Sequence, residues 1–147
     1  LPPHVKGRTM CQDREDREGS LEEWLDSDDQ IFLSVAMDEG ISLDGKKCRW
    51  QVVAKASYPF MGDERVSYRI DELGDWQWYA NQAIINLQQA VGRGMRSKDD
   101  YCATYLLDSS FDTLIDRNKG LFEDWFLDSI DCENEVQEYD SSPNFTF

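Results

Sequence analysis

Residues 76 to 91 carry one apolar stripe, and it is the feature that most restricts the fold. Trp76, Tyr79, Ala83, Ile84, Leu87 and Val91 recur at helical spacing behind Asp75, a good N-cap. The spacing predicts a long helix from Asp75 to about Val91. Short apolar runs flank it, Arg49 to Ala56 before and Tyr101 to Leu107 after, both rich in the β-branched and aromatic residues of buried strands. A strand, a helix and a strand in that order make a crossover, and crossovers join parallel strands.

The rest of the chain extends this pattern. Ile31 to Ala36 reads as a further buried strand. Ser20 followed by Glu23 reads as a capping box that opens a short helix from Leu21 to about Leu25. Residues 63 to 75 are charged and read as irregular. Asp108-Ser-Ser110 caps a helix from Phe111 to about Arg117, and Leu121 to Leu127 reads as a last amphipathic helix. The expected fold class is α/β, a mainly parallel sheet with flanking helices. Three segments are expected: a polar N-terminal stretch, 1–19, then a domain, 20–131, and an acidic flexible tail, 132–147. Ligands in such sheets sit at the carboxyl ends of strands. The loop from Met37 to Gly45 and the end of the long helix are both expected at one such crevice.

Charge narrows the function. Asp and Glu number 30 against 15 Lys and Arg, a net charge of -15. Such a field repels nucleic acid at long range in dilute salt. Two readings stand: an acidic interaction module, or a protein of a salt-rich cytoplasm, where the Debye length in molar salt is about 3 Å. The acids are spread along the chain rather than gathered in a block, which favours the second. No apolar run approaches the ~20 residues that cross a bilayer, and no secretory leader is visible. Cys11, Cys48, Cys102 and Cys132 form no C-x-x-C pair, and one histidine, His4, gives no metal-ligand spacing. Cys48 and Cys102 sit in or beside apolar strands, and buried, reduced thiols are the expected state.

The chemistry-bearing stretch is Gln89-Ala-Val-Gly92-Arg93-Gly-Met-Arg96. On a helix Gln89, Arg93 and Arg96 share one face, at i, i+4 and i+7. Guanidinium groups bind phosphate oxygens bidentately and stay charged at any ordinary pH. The adjoining glycines allow close approach of backbone to a ligand. A solvated helix end would also favour cations, but it gives no reason for the glutamine and the glycines.

This stretch resembles motif VI of superfamily 2 helicases, and the wider chain resembles the second RecA-like domain of XPD/DinG-type DNA helicases. Glu39-Gly40 follows the strand at 31 to 36, as in that family's motif V, with Ser42 where an aspartate is usual. Lys55-Ala-Ser-Tyr-Pro59-Phe60 matches its Lys-x-x-Pro-Phe turn with one extra residue, and Leu107-Asp108 ends the last strand. The resemblance spans roughly residues 20 to 127.

The resemblance implies a RecA-like second motor domain of an ATP-dependent DNA helicase acting in DNA repair. Arg93 and Arg96 would be arginine fingers, Gln89 and Gly92 nucleotide contacts, and Glu39 and Gly40 the coupling of nucleotide state to DNA. Lys46, Lys47 and Trp78 are candidate contacts to single-stranded DNA: the lysines to phosphates, the tryptophan by stacking because it falls off the apolar stripe. Trp76 and Tyr79 are expected in the core. No G-x-x-x-x-G-K-[ST] occurs. ATP and Mg²⁺ would therefore be held mainly by an N-terminal RecA-like domain outside this chain, and the chain, which starts at Leu1, is expected to be a fragment without ATPase activity of its own. The alternative is a non-catalytic acidic α/β module derived from the same fold.

Overall fold

The computed structural model describes residues 2–35, 43, 47–95 and 101–130. Its described strands form two parallel pairs, each joined by helical crossovers.

The first pair is β1 (Thr9–Cys11) and β2 (Ile31–Leu33), with Met10 opposite Phe32. A short helix, α1 (Pro3–Lys6), precedes it. Between the strands runs α2 (Arg17–Leu25). Trp24 of α2 stacks on Phe32 at 5.5 Å between ring centroids and donates its indole N–H to the Gln30 carbonyl at 2.9 Å. The helix begins four residues earlier than the capping box suggests. Asp16 is the cap, accepting from the Gly19 amide at 2.9 Å, while the Ser20 hydroxyl bonds back to the Asp16 carbonyl at 2.8 Å. A carboxylate satisfies the free first-turn amides, and serine inside a helix turns to the backbone instead. Strand β1 and helix α1 both fall in the segment 1–19, which the sequence shows only as polar.

The second pair is β3 (Trp50–Val53) and β4 (Ala103–Leu106), with Trp50 opposite Ala103 and Val53 opposite Leu106. Two helices connect them, α3 (Glu64–Asp71) and α4 (Trp76–Gly92). Helix α3 corrects the expectation of an irregular segment. Asp63 caps it by accepting from the Arg65 amide at 2.9 Å, and Ile70 buries its side chain while the charges face out. Helix α4 is capped by Asp75, which accepts from the Trp78 amide. Arg69 binds Asp75 at 2.8 Å. That hydrogen bond, followed by the Trp78 amide, holds the Asp75 carboxyl below the ordinary aspartate range.

After β4, Asp108 accepts from the Ser110 amide at 2.9 Å and opens α5 (Ser110–Arg117). A 3₁₀ turn (Lys119–Leu121) and α6 (Asp124–Asp128) follow, where one continuous helix was expected. The core gathers Ala83, Ile84, Leu87 and Val91 of α4 with Phe111, Leu114, Phe122 and Phe126. Val53 and Leu106 pack against it from the sheet. Alternation along the strands leaves Trp50, Val52 and Tyr105 on the outer, exposed face.

Candidate functional site

A helix that returns between parallel strands runs antiparallel to them. The C-terminal end of α4 therefore arrives at the amino ends of β3 and β4, not at their carboxyl ends, and Arg93 stands there. This corrects the expected crevice for the arginine. Two contacts fix the placement. The Gln51 side chain, from β3, donates to the Ala90 and Val91 carbonyls at 3.1 and 3.2 Å and to the Thr104 hydroxyl of β4 at 2.9 Å. The last carbonyls of a helix lack the amide four residues on that serves the others, and one side-chain amide here reaches two of them. The second contact is Gly94. A Cβ built on it would lie 2.5 Å from Cys102 Cβ and Sγ and 3.3 Å from Cys48 Sγ. The turn from Gly92 to Met95 thus sits on two cysteines that precede the two strands.

Arg93 is half-buried, with helical φ and ψ, and its amide donates to the Ala90 carbonyl at 3.3 Å. Gln89 is exposed in the same last turn. Gly92 has open space where a Cβ would stand. The two glycines therefore differ: Gly92 leaves room beside Arg93, while Gly94 is needed by Cys102. Arg96, Glu39, Gly40 and Lys46 lie outside the described residues.

Other cations collect at this end of the strands. The Arg49 guanidinium lies 4.7 Å from the centre of the Tyr101 ring and donates to the Tyr101 carbonyl at 3.4 Å. Lys47 donates to the Leu25 carbonyl and, at 3.2 Å, to the Ser27 carbonyl, so it serves the C-terminal end of α2. Cys48 is 5 % exposed, and burial, then its hydrogen bond and proximity to Cys102, pushes its thiol up to about 12.

The opposite end of α4 is aromatic. Tyr79 donates to the Pro59 carbonyl at 3.1 Å and stacks on Tyr58, and Asn86 donates to the Ser57 carbonyl at 3.2 Å. These bonds tie the turn from Lys55 to Phe60 to the helix beyond the carboxyl ends of the strands. Phe60 is 79 % exposed. Trp76, expected in the core, is 60 % exposed, and Trp78 is half-buried with the Arg69 guanidinium 4.4 Å from its ring centre. A shallow groove of about 470 Å³ opens here between Tyr68, Arg69, Leu73 and Asp75. Helix α4 has 17 residues, so this groove lies about 25 Å from Arg93 and does not belong to its chemistry.

The family model of the helicase C-terminal domain matches residues 3–129. The chain belongs to the helicase C-terminal domain family. That family is one of helicase motor domains, and nucleic-acid binding goes with the class. The match reaches back over α1 and β1. No curated protein matches this helicase C-terminal domain. Among the described residues, no helix is long and apolar enough to cross a membrane.

Proposed function

We propose that this helicase C-terminal domain is the second RecA-like motor domain of an XPD/DinG-type ATP-dependent DNA helicase, and that Arg93 and Arg96 act on the transferring γ-phosphate. The observation that carries the reading is the held helix end at Arg93. Gln51 and the cysteine pair hold the backbone on either side of Arg93. Phosphoryl transfer spreads negative charge over the equatorial oxygens, and catalysis is mostly positioning and charge stabilisation. Arginine keeps its charge and its planar fork, which suits both tasks.

In this proposal ATP and Mg²⁺ are held mainly by an N-terminal RecA-like domain, and this domain completes the site from the other side. Gln89 and Gly92 border the nucleotide. Glu39 and Gly40 couple its state to single-stranded DNA, which Lys46, Lys47 and Trp78 help to hold. The DNA contacts of Lys47 and Trp78 would exchange with the carbonyls and the Arg69 guanidinium that occupy them here.

The test is Arg93→Ala in the full-length enzyme. The expected result is a fall in kcat of about 10³-fold, the scale of arginine fingers, with a far smaller change in ATP affinity. Turnover within a few-fold of wild type would refute the role of Arg93.

A further inference from the structure

Cys48 and Cys102 are 54 residues apart in sequence, yet their Sγ atoms lie 3.4 Å apart. The pairing of Trp50 with Ala103 brings the segments that lead into the two strands together, with Cys48 two residues before one strand and Cys102 one residue before the other. Both thiols are free. They form the floor beneath Gly94, whose missing Cβ leaves the space that Cys102 occupies. Two small apolar residues would fill that floor equally well, and the phosphate chemistry proposed for Arg93 uses neither sulfur.

We propose that Cys48 and Cys102 form a reversible dithiol–disulfide site, oxidised by a small-molecule disulfide, that ties β3 to β4 beneath the Arg93 turn. Cys102 is the more open of the two and reacts first. Its thiolate attacks one sulfur of the small disulfide. That S–S bond breaks, and the other half leaves as a thiolate that takes up a proton. The product is a mixed disulfide on Cys102. Cys48 then gives up its proton and attacks Cys102 Sγ, which expels the second small thiol. Two protein thiols become one disulfide, and one small disulfide becomes two thiols. The sulfurs close from 3.4 Å to about 2.05 Å, a movement that side-chain rotation can supply. The buried, weakly acidic Cys48 thiol makes the second step the slow one.

The test uses the 147-residue chain and oxidised glutathione as the probe, followed by alkylation, peptide mapping by mass spectrometry and thermal unfolding. The expected product is a peptide pair linked through Cys48 and Cys102, reversed by dithiothreitol. Closing so long a loop should raise Tm by about 10 °C. The Cys48→Ala variant should stop at glutathione on Cys102, with no rise in Tm. Persistent glutathione on wild-type Cys102, a Cys102 that stays alkylatable while Cys11 reacts, or a link to Cys11 or Cys132 would each overturn the proposal. The linked peptide is read on the wild-type chain, so the test survives a variant that fails to fold.

Discussion

Two glycines two residues apart should respond to the same substitution with opposite signs. At Gly94 an added Cβ would stand 2.5 Å from Cys102 Cβ and Sγ. Carbon pairs settle at about 3.5–4.0 Å, so roughly 1 Å of separation must be found. A cysteine Cβ is fixed to the backbone, so either the Gly92–Met95 turn or the start of β4 has to move. Overpacking of this kind costs about 1–3 kcal/mol. Gly74 is the described glycine with positive φ, so the backbone at 92 and 94 suits alanine and returns about 0.4–1 kcal/mol through the unfolded state. The net for Gly94→Ala is a loss of about 1–2 kcal/mol. At Gly92 nothing lies within 4 Å of the added Cβ, and only the gain applies. The variants should therefore differ by about 2 kcal/mol in urea unfolding, or about 4–8 °C in Tm. On the catalytic role proposed for Arg93, Gly94→Ala should also slow ATP turnover by about 10²-fold, because Arg93 shifts with its neighbour by about 1 Å. If Gly94→Ala were as stable as Gly92→Ala, the packing of the turn on Cys102 would be wrong.

Gln51→Ala should cost about 1–3 kcal/mol, because it removes the one side-chain amide shared by the Ala90 and Val91 carbonyls and the Thr104 hydroxyl. A double-mutant cycle with Thr104→Val should show strong coupling, and strictly additive urea midpoints would refute the shared network. Asp108 gives a pH signature. The Ser110 amide first, then the Ser110 side chain, and further the Ala56 amide and Lys55 charge hold its carboxyl below the ordinary 3.8. A depressed folded pKa contributes stability that is present above the unfolded pKa and lost as pH falls through the folded one. Wild type should thus lose stability below pH ~4 more steeply than Asp108→Asn. Parallel acid limbs for the two proteins would count against the Asp108 bonds.

Helix α4 was legible because six apolar residues repeat over its length and an aspartate starts it. The parallel pairing of β3 and β4 followed from that crossover. Helix α3 was not legible, since its apolar face is Val66 and Ile70 alone among charges, too short a stripe to stand out. Trp76 fits the stripe of α4 and still points to solvent. It is the first helical residue, and the core begins further along, at Ala83. Gln89, Gly92, Arg93 and Arg96 could be picked out by spacing. What holds the helix end could not, because Gln51 reaches it across 39 and 40 residues and the cysteines meet across 54. Gly94 misled for the same reason. A glycine beside an arginine suggests room for a ligand, and the space belongs to a cysteine from a distant strand.

Helix α4 is clamped at both ends. Gln51 grips its last turn, while Tyr79 near its start and Asn86 past its middle tie it to the loop at Ser57 and Pro59. A hydrogen-bonded helix is stiff along its axis, so it behaves as a pushrod about 25 Å long. The arginine end and the aromatic loop around Tyr58 and Phe60 are thus joined through one stiff element.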